Sequence, residues 1–156
     1  MTIIDANLLL YAYNADAPQQ PAAGSWLENL SSSGEIIGLP WLTAWAFVRI
    51  CTNARIWTTP LPARKAFAIL DQWWNQPDVV ALQPGPRHRE LLEVLIAEHN
   101  AIGSLVSDAV VAALAIENGA TLASKNQDFS RFRQLRWTNP LRDWGKAHPE
   151  PVKNKA

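Results

Sequence analysis

The chain has 156 residues, of which 48% are hydrophobic and 18% charged, and its formal net charge is zero. A chain of this size and composition is typical of one globular domain with its own core, which excludes a disordered or fibrous protein. The single cysteine, Cys51, excludes an intramolecular disulfide. Its apolar neighbours predict a small core residue in a reducing compartment.

The charges are unevenly distributed along the chain. Residues 1–124 contain six lysines and arginines against eleven aspartates and glutamates, whereas residues 125–156 contain eight against three. A basic end of this kind can offer phosphate groups a local positive surface. The alternative is a solvated C-terminus that binds no ligand.

The first part of the chain predicts strands alternating with helices. Residues 2–4 form a short apolar run that ends at Asp5, which is typical of a buried strand. Proline is favoured in the first turn of a helix, and Pro40 therefore indicates where one begins. The patterns of this part predict helices at residues 7–13, 22–30 and 40–53 and a second strand at residues 35–39.

The second part continues the alternation. Its patterns predict a helix at 63–74, a strand at 79–82, a helix opened by Pro86, a helix from a Ser107 cap to Asn118, and strands at 121–124 and 135–137. Several strands lack polar alternation, which indicates a parallel sheet buried between helices. We expect an α/β three-layer sandwich with a central parallel sheet of four or five short strands and helices on both faces.

Three aspartates fall where such a sheet carries its site, because ligands bind beyond the carboxyl ends of the strands. Asp5 ends the first strand, Asp128 follows the fourth, and Asp108 precedes an apolar helix whose burial would extend to its first turn. Carboxylates gathered at one sheet edge repel one another, and a hard divalent cation resolves that repulsion. Such a centre suits phosphodiester hydrolysis.

Simpler explanations exist for these residues taken singly. Asp108 fits a first-turn acid that the helix dipole stabilises, and Asp128 fits a turn or cap residue. Three histidines lack the spacing of metal ligands, and we expect all of them at the surface: His88, His99 and His148. The aspartate pattern alone therefore leaves the chemistry open.

Short motifs in a fixed order narrow the choice. They are IIDANLLLYAYN at residues 3–14, GLPW at 38–41 with FVRICTN at 47–53, LVSDA at 105–109, and GATLASKNQDF at 119–129 with LRWTNPL at 135–141. Together, over about residues 2–141, they resemble the motifs of PIN domains, and in particular of VapC-like toxin ribonucleases. The resemblance implies a PIN-like nuclease domain at residues 1–144, followed by a flexible C-terminal tail at residues 145–156.

The same resemblance implies a metal-dependent endoribonuclease, the toxin of a toxin–antitoxin pair, which hydrolyses RNA, with transfer RNA a frequent substrate of the family. The implied catalytic residues are Asp5, Asp108 and Asp128, and the first two would hold Mg²⁺, with Mn²⁺ as an alternative. Asn7 would support the site. A cognate antitoxin and a second copy in a homodimer are the implied protein partners, and exposed aromatic residues would contact RNA bases or the antitoxin.

Basic residues acquire possible roles under this interpretation. Arg49 would contact the scissile phosphate, or it would pair with an acid and hold its helix in place. Four residues near the end of the chain would follow an RNA backbone: Lys125, Arg131, Arg133 and Arg136.

Two positions depart from the family pattern. Ala46 stands where the family usually has a glutamate, so one expected carboxylate is missing. Asn126 stands where many relatives have an acid, and either Asn126 or Asp128 would face the site. The alternative function is therefore a catalytically weakened PIN domain that binds RNA or an antitoxin without cutting.

Other classes fit less well. The sequence contains no Gly-x-Ser-x-Gly nucleophile elbow, no P-loop and no dinucleotide fingerprint. A haloacid-dehalogenase-like phosphatase would need an acid where Asn7 stands. The chain opens without a secretory signal pattern, and its longest apolar run, residues 109–116, is too short to span a bilayer, so we expect a cytoplasmic protein with no membrane partner.

Overall fold

Five parallel strands form the centre of the fold in the computed structural model, which describes residues 1–142. They are β1 (Thr2–Ile4), β2 (Ile37–Pro40), β3 (Val79–Leu82), β4 (Thr121–Ala123) and β5 (Arg136–Thr138). Their order across the sheet is β3-β2-β1-β4-β5, which places β1 in the middle. The expected α/β class and the parallel sheet are confirmed.

Six helices connect these strands. They are α1 (Ala6–Tyr13), α2 (Gln20–Ser32), α3 (Trp41–Cys51), α4 (Ala63–Trp74), α5 (His88–His99) and α6 (Ser104–Glu117), and a short 3₁₀ turn, Gln127–Arg131, follows β4. The structure shifts several expected boundaries by one or two residues. Pro40, for example, is the last residue of β2 and the N-cap of α3.

Each face of the sheet has its own hydrophobic core, because successive strand residues point to opposite faces. In β1, Ile4 packs with apolar residues of α1, α2, α3 and α4. Its neighbour Ile3 packs with residues of α5, α6 and the 3₁₀ turn. Cys51 is fully buried in the first core, and burial raises the pKa of its thiol to about 11, so the expected core role is confirmed.

Helix α6 begins earlier than the sequence suggests. Its first residue is Ser104 and its N-cap is Gly103, whose φ of 59° favours glycine. Ser107 is therefore inside the helix, and Asp108 lies in the second turn. The cap expected at Ser107 and the first-turn position expected for Asp108 are wrong. The expected burial of the first turn is also wrong, because Ser104 is exposed.

A carboxylate joins α5 and α6 at the edge of the sheet opposite the carboxyl ends of the strands. Glu117, the last residue of α6, accepts hydrogen bonds from the backbone N–H of Gly85 (3.0 Å) and of Arg87 (2.9 Å), just before α5. His88 is buried, with its Nδ1 3.9 Å from the Glu117 carboxylate. The surface position expected for His88 is therefore wrong, because this histidine lies beside Glu117 with only 7% of its surface exposed.

Two further expectations concern other parts of the chain. No helix within residues 1–142 is long and apolar enough to cross a membrane. The expected tail at residues 145–156, with His148, lies outside the described residues.

Candidate active site

Asp5 lies at the carboxyl end of the central strand and is the N-cap of α1. Its backbone N–H donates to the carbonyl of Ala123 over 3.0 Å, which extends the pairing of β1 with β4 by one residue. Its Oδ1 accepts the N–H of Ala6 at 2.7 Å. One carboxylate oxygen is thereby held by the backbone of α1, which fixes the side chain at the sheet edge.

The other oxygen of Asp5 belongs to a network of side chains. Oδ2 accepts from Asn7 Nδ2 at 2.8 Å and from the hydroxyl of Ser124 at 2.6 Å. Asn7 Nδ2 also donates to Ser124 Oγ over 2.9 Å, and Asn7 Oδ1 accepts the N–H of Lys125 at 3.2 Å. Asn7 therefore joins the end of β1 to the end of β4.

Asp108 meets Asp5 in a cleft of about 150 Å³, which we call the acidic cleft. Its walls include Asp5, Thr43, Ala46, Arg49, Ser107 and Asp108. The first of these residues comes from the end of β1, the next three from α3, and the last two from α6. The structure therefore brings three of the predicted site residues, Asp5, Arg49 and Asp108, from distant parts of the sequence to one opening.

The two carboxyl groups share an unfavourable environment for negative charge. Burial raises the pKa of Asp5, and the hydrogen bonds from Ser124 and from the Ala6 N–H only partly oppose it. Burial also raises the pKa of Asp108, to which the negative charges of Asp5 and then Asp128 add, against a hydrogen bond from Asn126. The aspartates are thus close enough to repel one another, as the sequence predicted.

Asn126 and Asp128 occupy different places beside Asp108. The Asn126 side chain donates to Asp108 Oδ2 over 3.3 Å, and its Oδ1 accepts the N–H of Asp128 at 3.0 Å, which caps the 3₁₀ turn. Asp128 is exposed and forms a 3.5 Å ion pair with Arg131. Asn126 is therefore the residue that contacts a predicted ligand, whereas Asp128 acts on Asp108 through its charge.

Helix α3 forms the remaining wall of the acidic cleft. Ala46 lines the cleft, so the position where the family usually has a glutamate does face the aspartates. Arg49 lines the cleft one turn further along, and within residues 1–142 it forms no ion pair with an acid. The structure thus gives no support to the alternative that Arg49 pairs with an acid to hold its helix.

A divalent cation fits the donors of the acidic cleft. Within residues 1–142, no three His, Cys, Asp or Glu side chains come together as a complete protein ligand set. Mg²⁺ does not need one, because it is commonly held by one or two carboxylates and keeps several waters. Asp5 and Asp108 supply two carboxylates with raised pKa values, and a dication would balance the charge that raises the pKa of Asp108.

Two polar residues of the site were not predicted from the sequence. Ser124 is fully buried; it donates to Asp5, and its hydroxyl oxygen accepts the N–H of Asn126 at 3.0 Å. Thr43 is buried in α3 and donates to the carbonyl of Ile4 over 3.2 Å, which ties α3 to the end of β1. A hydroxyl residue directly after the apolar run of β4 was the available signal for Ser124.

The four basic residues near the end of the chain point to three different places. Lys125 lies over the ring of Tyr11 at 5.0 Å, and the Arg136 guanidinium donates to the carbonyl of Gly119, at the start of β4. Arg131 and Arg133 line a separate cleft with His99. Arg136, at the start of β5, therefore lies at the sheet edge opposite the aspartates.

Comparison with known sequences gives a family for this arrangement. Residues 2–135 match the PIN domain. The chain is 38% identical over 143 residues to ribonuclease VapC33 of Mycobacterium tuberculosis, covering 92% of this chain and 100% of that protein. It is 35% identical over 140 residues to ribonuclease VapC37 of the same organism, covering 90% and 97%.

Solved structures share the fold at low sequence identity. VapBC2 of Rickettsia felis, solved bound to a promoter DNA fragment, gives a TM-score of 0.67 at 18% identity over 88% of this chain and 97% of that chain. Mycobacterium tuberculosis VapC20, described as a sarcin-ricin loop cleaving toxin, gives 0.63 at 16% identity over 85% and 95%. The order of the strands, the aspartates at their carboxyl edge and these matches show that the chain belongs to the PIN-domain family.

Proposed function

We propose that this chain is a metal-dependent endoribonuclease of the toxin type, which hydrolyses RNA phosphodiester bonds. The observation that carries the proposal is the acidic cleft, where Asp5 and Asp108 meet at the carboxyl edge of the sheet with raised pKa values. Relatives that are 35–38% identical over at least 90% of the chain are named ribonucleases. Both the chemistry of the donors and the relatives favour this reaction class.

Asp5 and Asp108 would hold Mg²⁺, or Mn²⁺ in its place. When bound, the ion supplies charge neutralisation at the phosphate and a water of lowered pKa. Asn7 and Ser124 keep the Asp5 carboxylate in one orientation through their hydrogen bonds to Oδ2. Such hydrogen bonds behind a metal ligand typically change metal affinity or activity by about 10- to 100-fold when they are removed.

Three residues around Asp5 and Asp108 would complete the site. Asn126 holds Asp108 from the β4 side through its side-chain amide. Asp128 adds negative charge at the rim, in the catalytic role that the resemblance implies. Arg49 contributes a guanidinium to the same cleft without an ion pair among the described residues, so it is available to bind a non-bridging oxygen of the scissile phosphate.

Ala46 favours the second candidate function, a PIN domain that binds RNA or an antitoxin without cutting. The methyl group of Ala46 lines the acidic cleft where a third carboxylate would stand. With two protein carboxylates, a second metal ion has few ligands. The two functions differ in one observable, because both predict RNA or antitoxin binding but only the first predicts new RNA ends.

The test is incubation of a total transfer-RNA pool with purified, antitoxin-free protein, with Mg²⁺ or Mn²⁺ and with a chelator, beside an Asp5→Asn variant. The proposed nuclease gives discrete fragments that require the metal and disappear in the variant. A folded protein that gives no fragments under any metal condition would favour the binding function and identify Ala46 as its leading cause.

An antitoxin is the proposed protein partner, and the surface beside the acidic cleft fits one. A groove of about 480 Å³, which we call the tryptophan groove, is lined almost entirely by apolar side chains, including Trp41, Leu42, Trp45, Leu82, Val110 and Leu114. Leu42 also lines the acidic cleft, so a chain segment in the groove would reach the site. Exposed apolar grooves of this kind commonly bind protein.

We further propose that the protein forms a homodimer and acts in the cytoplasm, as the sequence led us to expect.

A further inference from the structure

A second cleft, of about 560 Å³, lies between the end of α5 and the segment after β4. We call it the basic cleft, and it is lined by Glu98, His99, Arg131, Arg133 and Gln134. Two guanidinium groups, an imidazole and an amide thus surround one opening that contains a single acid. This lining fits an anion with several acceptor oxygens, because guanidinium groups bind phosphates through paired hydrogen bonds.

The basic cleft lies at the same edge of the sheet as the aspartates. Helices α5 and α6 are antiparallel, because Glu117 at the end of α6 binds the backbone just before α5. The end of α5, which carries His99, therefore lies near the start of α6, which carries Asp108. The 3.5 Å ion pair between Arg131 and Asp128 connects the two clefts, since the charge of Asp128 acts on Asp108.

The two arginines are accessible to a ligand. Arg131 and Asp128 are both more than half exposed, at 56% and 55%, and exposed pairs of this kind are weak enough to exchange for a phosphate. Arg133 is exposed and forms no ion pair with any residue between 1 and 142. The one acid of the cleft, Glu98, lies 4.0 Å from His99 Nε2 and, within residues 1–142, forms no ion pair with either arginine.

The segment that carries these arginines is anchored. Phe132, which separates them in sequence, is 1% exposed, and the ring of His99 packs edge-on against it at 5.1 Å. Phe129, one turn earlier, is buried in the same core. Arg131 and Arg133 therefore extend from a fixed backbone, which lowers the entropic cost of placing two guanidinium groups around one ligand.

We propose that the basic cleft is a phosphate-binding subsite, which holds the RNA backbone on the β4 side of the acidic cleft through Arg131 and Arg133. The inference rests on the proposed function, because it takes RNA as the ligand of the neighbouring acidic cleft. It assigns to this chain a contact with substrate phosphates outside the scissile bond. Arg136 and Lys125 have no part in it.

The test measures binding separately from cleavage. The full chain carries Asp5→Asn in every sample, a chelator is present, and the probe is a fluorescein-labelled single-stranded RNA whose affinity is followed against salt concentration. We expect Arg133→Gln to weaken binding about three- to tenfold at about 0.1 M salt, and to reduce the slope of log affinity against log salt by about 0.7, the value for one phosphate contact on a single strand.

A matched control separates the cleft from net charge. Arg89→Gln removes one positive charge at the beginning of α5, at the helix end remote from His99, where the only ion pair of Arg89 within the described residues is with Glu93 over 3.0 Å. We expect this variant to bind RNA with the parent affinity and salt slope. Arg133 is preferred to Arg131 for the test because its removal leaves no carboxylate unpaired. Thermal unfolding of each variant verifies that it is folded.

Several outcomes would overturn the assignment. Equal losses in Arg133→Gln and Arg89→Gln would show a net-charge effect, and an unchanged salt slope would show that no phosphate contact was removed. Intact RNA binding with a weakened antitoxin complex would assign the cleft to a protein. Metal-dependent activity is judged separately: a chain that binds RNA through Arg133 but never cuts it retains the subsite and loses the proposed catalysis.

Discussion

Asp5 and Asp108 make the stability of the metal-free protein dependent on pH. Their pKa values are raised in the folded state, so their protonated forms stabilise the fold. That contribution is fully present below the ordinary value of 3.8 and is lost as the pH rises through the raised folded-state values. Near pH 7, the ionised carboxylates therefore destabilise the metal-free chain, and a bound dication would restore the stability.

Replacing one carboxylate with its amide should show this destabilisation. We expect Asp108→Asn to raise the melting temperature of the chelator-treated protein near pH 7 by roughly 2–4 °C, as about 1 kcal/mol does in a chain of this size after allowance for the partial exposure of Asp108. The gain should vanish near pH 3.5. Asp16→Asn, at an exposed loop residue outside the acidic cleft, is the control, and an equal gain there would contradict the account.

Ser124 is the second residue whose removal has a specific expected effect. Ser124→Ala removes the hydroxyl that donates to Asp5 and accepts from Asn126 and Asn7. We expect a loss of about 1–3 kcal/mol in the free energy of unfolding, because buried polar partners are left unpaired, and a metal affinity about 10-fold lower.

Urea unfolding and calorimetric Mn²⁺ titration measure these two quantities. Ser130→Ala, at an exposed residue of the 3₁₀ turn, is the matched serine control, since within residues 1–142 its hydroxyl donates only to the carbonyl of Gln127. Wild-type metal affinity in a folded Ser124→Ala protein would show that Asp5 needs no fixed orientation.

The sequence predicted the aspartates better than their surroundings. Asp5 was identifiable because it ends a buried strand, where an unpaired carboxylate is expensive. Asn126 and Asp128 were not distinguishable, because two neighbouring polar residues after a strand differ only in the direction that a turn gives them. The capping bond from Asp128 N–H to Asn126 Oδ1 sets that direction, and it depends on the 3₁₀ turn.

Among the secondary-structure elements, the predicted positions of residues near helix ends differ most from the structure. Ser107 has the side chain of a good N-cap, but α6 starts at Ser104 because Gly103 adopts a positive φ and turns the chain there. His88 looked like a surface residue because it stands among charged residues. In the structure it is buried beside Glu117, a residue so far along the chain that the local pattern around His88 gives no sign of the contact.

The hydrogen bonds by which Glu117, at the end of α6, holds the backbone before α5 form a clamp between the two helices. Removing this clamp has a specific expected effect. Glu117→Ala removes the acceptor for two backbone N–H groups and the carboxylate beside the buried His88. We expect a loss of about 1–2 kcal/mol in the free energy of unfolding, with RNA cleavage per folded molecule unchanged, because the clamp is at the opposite sheet edge.

Glu93→Ala is the control, since Glu93 is 65% exposed and its one ion pair in the described part of the chain is a surface pair along α5, which contributes about a few tenths of a kcal/mol. Urea denaturation compares the variants. Equal losses at Glu117 and Glu93 would show that the contacts of Glu117 contribute nothing beyond an exposed pair.

The fold class of the whole molecule could be predicted from the pattern of apolar runs in the sequence. Short apolar runs such as residues 2–4 are typical of strands buried on both faces, and the helical segments between them favour parallel crossovers. The order of the strands is not contained in any local pattern. In the structure β1 lies in the middle of that order, and its residues Ile3 and Ile4 pack into the two cores on opposite faces of the sheet.

The tryptophan groove supplies a prediction for the assembled molecule. Trp45 is 63% exposed at this groove, and Trp45→Ser should weaken binding of the cognate antitoxin at least about 10-fold, as truncation of a buried interface anchor commonly does. RNA cleavage by the free protein should not change. Ile56→Ser, at a residue 59% exposed outside the groove, is the control, and equal antitoxin affinity of the two variants would remove the groove from the interface.

The most direct test of metal-dependent cleavage at the acidic cleft is the rate at which purified, antitoxin-free protein cleaves RNA, measured against Mg²⁺ or Mn²⁺ concentration. The rate is compared in the wild type, Asp108→Asn and Asp16→Asn. The proposal that Asp5 and Asp108 hold a catalytic metal predicts saturable metal dependence in the wild type and in Asp16→Asn. It also predicts a rate at least about 100-fold lower in Asp108→Asn, which is equivalent to about 2.7 kcal/mol in the activation barrier. Cleavage that persists in chelator, or that proceeds at the wild-type rate in Asp108→Asn, would contradict it.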